Sequence, residues 1–107
     1  MSSHRYPGVS IKVGDRDLLV PPLTLGQIEA NADKLASIDQ IEASPQKALS
    51  SGAMGKVLDL VVIAVQRNYP DMKREEIGEL VDMHNLRQFL PAILGASEGE
   101  AKGLASV

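Results

Sequence analysis

The longest apolar pattern in the chain lies between Met54 and Tyr69, MGKVLDLVVIAVQRNY. Polar residues recur within it at helical spacing, and the apolar side chains cover most of the circumference at about 100° per residue. The many Val and Ile residues favour a strand, but a strand of this length would be far longer than ordinary strands. We therefore predict a central helix over 54–69, ended by Pro70, because the residue before a proline is pushed out of the helical region.

The N-terminal part alternates between apolar and polar positions. Residues 9–13 (VSIKV) show the period of two that is typical of a half-buried strand, and residues 18–20 (LLV) form a second apolar run. Gly14-Asp15 suits a tight turn between them, and Pro21-Pro22 ends the second run. We predict a β-hairpin over 9–20, which should lie against the helices because an isolated hairpin is marginally stable.

A helix start is indicated at Thr24-Leu-Gly-Gln27, which matches the Thr-x-x-Gln capping box. We predict a helix over 25–37, with one apolar stripe facing the core, formed by Leu25, Ile28, Ala32, Leu35 and Ala36. Residues 39–47 are predicted to form a polar, mobile connection. Two starts for the next helix remain open: Ser44 as N-cap with Pro45 in the first turn, or Ser50 or Ser51.

The C-terminal half predicts two further helices. The first covers about 74–81, with Glu75 and Glu76 near its positive end. A turn over 82–85 follows, with Asn85 as N-cap of a last helix over 86–94. Pro91 predicts a kink or local break in that helix, and Gly95 predicts its end.

These elements predict one small domain over 9–95, mainly α (α+β). A short N-terminal β-hairpin (9–20) is followed by three to four helices, at about 25–37, 50–69, 74–81 and 86–94, packed around the central apolar helix 54–69. Residues 1–8 are expected to be a flexible leader and residues 96–107 a disordered tail.

Composition narrows the function classes. The 107 residues include no cysteine, which excludes a disulfide framework and thiolate metal sites. The formal net charge of −3 gives no general attraction to phosphate backbones, and no apolar run approaches the length of a membrane span. We therefore expect neither a nucleic acid nor a membrane as a partner.

Residues with catalytic chemistry are scattered. His4 and His84 have no partner histidine at metal-ligand spacing. Glu75, Glu76 and Glu79 indicate the solvated face of an amphipathic helix. We predict no catalytic, cofactor-binding or metal-binding residues and no enzymatic activity.

The central helix carries more apolar residues than one face needs. Leu60 and Ile63 fall outside its main apolar face. Either the hairpin and the first helix cover them, or they form an exposed patch for self-association or for a partner helix.

Three short segments carry a family resemblance: Leu-Thr-Leu-Gly-Gln at 23–27, Arg-Asn-Tyr-Pro-Asp at 67–71, and Asn-Leu-x-x-x-Leu-x-x-Ile-Leu-Gly at 85–95. Their order and spacing resemble the small tail assembly chaperones of long-tailed bacteriophages and prophages. The resemblance implies a non-enzymatic chaperone in the cytoplasm of the bacterial host, absent from the mature virion. Its partner would be the tape measure protein, which it keeps soluble during tail morphogenesis. The tail tube protein is a second expected partner, and weak homo-oligomers would multiply contacts along a long client.

Holding an apolar, largely helical client requires an apolar groove, ideally with adaptable methionines. Six candidate partner-binding residues follow: Met54, Leu60, Ile63, Met72, Met83 and Phe89. Core filling is the simpler role for the methionines. Two other functions remain open. One is a structural tail or head–tail joining component retained in the virion. The other is a small helix-turn-helix DNA-binding regulator, with 74–94 as the motif.

Overall fold

The computed structural model describes residues 6–44, 46–47 and 51–95, and its fold is α+β, as predicted. The described elements are strands β1 (Val9–Val13) and β2 (Arg16–Val20) and helices α1 (Leu25–Ala30), α2 (Ala32–Ala43), α3 (Ala53–Gln66), α4 (Arg74–Leu80) and α5 (Met83–Ile93). The predicted tail over 96–107 and residues 1–5 of the predicted leader lie outside the described residues.

The hairpin has the predicted position. β1 and β2 pair antiparallel, in a register running from Val9 opposite Val20 to Val13 opposite Arg16. Gly14 has a φ of 65°, which the tight turn requires and glycine adopts without strain. One face of the sheet packs against α5, and β2 also contacts α3. The side chains of this face are at most 1% exposed: Ile11, Val13, Leu18 and Val20.

Helix α3 is the centre of the fold, because it contacts α2, α4, α5 and β2. Its buried residues lie around most of its circumference: Ala53, Val57, Leu60, Val61, Val62, Ala64 and Val65. The helix is shorter than the predicted 50–69. It begins after Gly52, whose φ of 84° interrupts the helical backbone. Residues 46–47 and 51 are also helical, so helical structure precedes Gly52, but none of the predicted starts is the first residue of α3 itself. It ends at Gln66, where the N–H of Arg67 bonds to the carbonyl three residues back and tightens the last turn.

The predicted helix over 25–37 is wrong, because the chain forms two helices that meet at Asn31. This residue has φ −121° and ψ 29°, and its side-chain Nδ2 donates to the carbonyl of Gln27 at 2.8 Å. Of the predicted stripe, Ile28 and Leu35 are half-buried against the core, whereas Leu25 is 84% exposed. Ala32 and Ala36 are also exposed. Helix α2 continues to Ala43, through most of the predicted mobile connection, and buries Ile38 and Ile41 against α3.

Among the helices whose bounds are given above, two start with a capping box. The predicted box at Thr24 is confirmed: the N–H of Gln27 donates to Thr24 Oγ1 at 3.0 Å, and the N–H of Thr24 donates to Gln27 Oε1 at 2.9 Å. The prediction that Asn85 is an N-cap is wrong. Asp82 is the N-cap, and Asn85 is the third helical residue, completing the second box with two hydrogen bonds of 2.8 Å. Helix α5 therefore starts at Met83, and only two residues separate it from α4.

Helix α5 continues through Pro91 to Ile93 and ends before Gly95. No helix in the described part of the chain is long and apolar enough to cross a bilayer.

Candidate functional site

An open groove lies between α2 and α5, with a volume of about 370 Å³. Helix α2 contributes Ile41 and Glu42, and α5 contributes one face at spacings of three and four residues: Met83, Leu86, Arg87, Leu90 and Pro91. This face extends over about two helical turns, or roughly 12 Å. The groove is therefore an elongated apolar depression between two helices.

Burial differs between the floor and the rim of this groove. Ile41, Leu86 and Leu90 are 5 to 7% exposed and form its floor. Met83 lies at one end and is 50% exposed. A flexible thioether at the end of an apolar groove can adapt its shape to a bound side chain.

The polar groups of the groove lie at its rim. Glu42 on α2 and Arg87 on α5 are exposed, and neither side chain forms a hydrogen bond or an ion pair with the described residues. Pro91 has no N–H, so it cannot donate the usual helical hydrogen bond to the carbonyl of Arg87. The side chains of Glu42 and Arg87 are therefore available to a bound partner, whereas the floor offers only apolar contact.

Of the six predicted partner-binding residues, only Met83 lines this groove. Leu60 and Phe89 are 0% exposed, and Met72 is 7% exposed, so all three belong to the core. Helix α3 buries Leu60 because neighbours cover it on several sides. Met54 and Ile63 are half-buried and pack against the core. The six residues therefore do not form one surface.

Sequence reasoning missed most of the groove for two reasons. On the last helix, the predicted partner-binding residues included Phe89 but not Leu86 or Leu90. Ile41 and Glu42 were placed in a mobile connection, so no second wall was expected. The available signal was the spacing of Met83, Leu86 and Leu90, which is typical of a helix face.

A second group of contacts surrounds the end of α3. The side chain of Asn68, 8% exposed, accepts from the N–H of Tyr6 at 2.7 Å. Its Nδ2 donates to the carbonyls of Tyr6 and Leu19, both at 3.0 Å. Tyr69 Oη accepts from the N–H of Leu19 at 2.9 Å. Residues 6–8 of the predicted flexible leader are therefore tied to the domain at Tyr6.

Arg67 completes this group, which we call the corner: Tyr6, Leu19, Pro22, Arg67, Asn68 and Tyr69. The guanidinium of Arg67 donates from Nη1 to the carbonyl of Pro22, and it lies 4.1 Å from the centre of the Tyr6 ring. The corner joins the N-terminal segment, β2 and the end of α3. Its polar side chains satisfy main-chain groups of the same chain, which is a structural role.

The segments that carry the family resemblance meet in space. Arg67, in the second segment, binds Pro22, which precedes the first. The N–H of Leu23 donates to the carbonyl of Ile93 at 2.9 Å, which joins the first segment to the third. The three short segments therefore belong to one packed unit.

Within the described residues, no group of three or more His, Cys, Asp or Glu side chains could hold a metal ion. Comparisons with protein-family models, with curated proteins and with solved structures found no match to this chain.

Proposed function

We propose that this protein is a non-enzymatic tail assembly chaperone of a long-tailed phage or prophage, and that its α2/α5 groove binds an apolar helical segment of the tape measure protein. The observation that carries the proposal is the groove itself. It offers an apolar floor of Ile41, Leu86 and Leu90 and a half-exposed Met83. An amphipathic helix docks into such a groove by inserting side chains at positions i, i+3, i+4 and i+7.

The size of the groove limits what it binds. Its volume of about 370 Å³ accommodates a few apolar side chains and is far too small for a folded domain. One groove therefore binds one short segment, and a long client requires several copies of the chaperone. This arrangement suits a helper that covers an aggregation-prone protein temporarily and dissociates when tail tube subunits polymerise around it.

The resemblance supplies the identity of the client. The segments at 23–27, 67–71 and 85–95 resemble tail assembly chaperones, and the third contains Leu86, Arg87, Leu90 and Pro91 of the groove. The proposal places the protein in the host cytoplasm and outside the mature virion.

The test is co-expression with the tape measure protein of the same phage, scoring the soluble fraction and co-purification. A photoreactive amino acid at position 83 should crosslink to the tape measure protein. The matched control is position 94, because Leu94 is also 50% exposed but does not line the groove. Crosslinking at 94 and not at 83 would place the binding surface elsewhere.

A different result would show that the chaperone function itself, and not only the assigned binding surface, is wrong. If the tape measure protein stays insoluble and nothing co-purifies, the chaperone function is wrong. Mass spectrometry of purified virions then tests the alternative function, a structural tail or head–tail joining component. Such a component is present in fixed copy number, whereas a chaperone is absent.

A further inference from the structure

The two edges of the hairpin differ in how their main-chain groups are satisfied. At the outer edge of β2, the N–H of Leu19 donates to Tyr69 Oη and its carbonyl accepts from Asn68 Nδ2. Both groups of Leu19 therefore point away from β1. Since Ser10 is opposite Leu19, this pair is one of the non-hydrogen-bonded pairs of the ladder.

The alternation of pair types in an antiparallel ladder then determines which main-chain groups of β1 point outward. Residues that face each other alternate between hydrogen-bonded and non-hydrogen-bonded pairs, so Lys12 opposite Asp17 is also non-hydrogen-bonded. The N–H and carbonyl groups of Ser10 and Lys12 consequently point outward from β1. They form no hydrogen bond with any described residue, and both side chains are exposed.

We propose that a second copy of this chain pairs antiparallel along the free edge of β1, with Ser10 of each copy opposite Lys12 of the other. This register places the two Ile11 residues at the two-fold axis. It forms four main-chain hydrogen bonds, because Ser10 and Lys12 each contribute one N–H and one carbonyl from each copy.

Charge and the number of outward-pointing groups that pair select this register among the three that align outward-pointing residues. Pairing Lys12 with Lys12 of the second copy would oppose like charges, which is destabilising. Pairing Ser10 with Ser10 would leave Lys12 beyond the ladder on both sides and use fewer outward groups. A lysine on an edge strand commonly opposes edge-to-edge pairing. Here it excludes one register and leaves the staggered one open.

The edge favours a second copy over an unrelated strand because it is complementary to itself. In the staggered register, the exposed face of the joined sheet carries only Ser10 and Lys12 from each β1, and the apolar face continues across the axis through Ile11. The contact is small, since β1 has five residues, so the dimer should be weak and concentration-dependent. This inference does not depend on the proposed function, although a dimer would present two grooves to one client.

The first measurement is sedimentation velocity of the full chain up to about 1 mM protein, a range that detects millimolar dissociation constants. We expect reversible dimers, and amide hydrogen exchange at Ser10 and Lys12 that slows as the dimer forms. A monomer at the highest concentration would overturn the proposal and leave the edge to a strand from another protein.

Two substitutions at one position test the register. Ser10→Glu places a carboxylate opposite each Lys12 of the other copy, so the dissociation constant should fall about fivefold. Ser10→Lys opposes like charges and should raise it by a similar factor. The net charge of −3 becomes −4 and −2 respectively, so general repulsion between copies predicts the opposite order. If the dissociation constants follow net charge, or do not change, the strand-edge interface is wrong. Circular dichroism confirms that both variants remain folded.

Discussion

The corner and the groove use their side chains in opposite ways. In the corner, Arg67, Asn68 and Tyr69 have their polar atoms bound to main-chain groups of residues 6, 19 and 22. In the groove, Met83 is half exposed, and the side chains of Glu42 and Arg87 form no hydrogen bond or ion pair with a described residue. The corner side chains find their hydrogen-bond partners within the chain, whereas the groove side chains remain accessible for contact with another molecule.

This difference separates residues that stand out in the sequence from residues that suit binding. Arg-Asn-Tyr is chemically conspicuous, yet its interactions hold the hairpin and the N-terminal segment on α3. The groove consists of ordinary apolar residues whose relevance appears only when α2 and α5 are placed side by side. The comparison predicts that corner substitutions change stability and that groove substitutions change binding.

The largest loss of stability is expected for Asn68→Ala. The substitution removes three hydrogen bonds and leaves the half-buried carbonyl of Leu19 without its partner. We expect the free energy of unfolding to fall by about 2 to 3 kcal/mol, because buried groups without partners cost more than a hydrogen bond normally contributes. Urea unfolding followed by circular dichroism measures this change.

The control for Asn68→Ala is Gln88→Ala on the exposed face of α5, which should change stability by less than about 0.5 kcal/mol. If Asn68→Ala behaved like this control, water would replace the side chain and the corner would not hold the fold together.

A smaller loss is expected for Tyr69→Phe, which keeps the ring and removes only the hydroxyl. The N–H of Leu19 then loses its acceptor at 2.9 Å. We expect a cost of about 1 kcal/mol in the same unfolding experiment. Amide hydrogen exchange at Leu19 should accelerate in the variant, and unchanged exchange there would contradict the assigned hydrogen bond.

A still smaller effect is expected for Arg74→Ala. The guanidinium Nε of Arg74 lies 2.8 Å from Asp59 Oδ1, but the two side chains are 49% and 36% exposed. Solvent and salt screen such a pair, so its loss should cost less than about 0.5 kcal/mol. The single variant Asp59→Ala and the double variant complete a double-mutant cycle. A coupling free energy above about 1 kcal/mol between Arg74 and Asp59 would show that this ion pair is stronger than its solvent exposure suggests.

The sequence predicted well those elements whose signal is local. The hairpin follows from alternation and a glycine turn, and the Thr24 capping box follows from two residues three positions apart. The central helix follows from an apolar run whose length excludes a strand. These signals are contained in a few neighbouring residues, so no tertiary information was needed.

The predictions from the sequence were wrong where the folded chain did not follow a local pattern. The spacing of apolar residues continues across Asn31, but one helix ends and the next begins at that residue. Asn85 is a good N-cap by type, yet Asp82 occupies that role, since either residue can start a helix. The groove as a whole was missed because its two walls are distant in the sequence, and Ile41 and Glu42 were placed in a mobile connection.

The last prediction combines the smallest effect on stability with a large effect on binding. Met83→Glu places a charge at the exposed end of the groove, where the side chain can remain hydrated, so the free energy of unfolding should change by less than about 0.5 kcal/mol. Binding of an apolar client segment should weaken at least tenfold, because the carboxylate must lose its water on contact with apolar groups. Leu25→Glu is the matched control, since Leu25 is also an exposed apolar residue at the start of a helix but lies outside the groove. Equal loss of tape measure binding in both variants would show that general surface apolarity holds the client, and the contrast between the corner and the groove would then no longer describe where this protein binds.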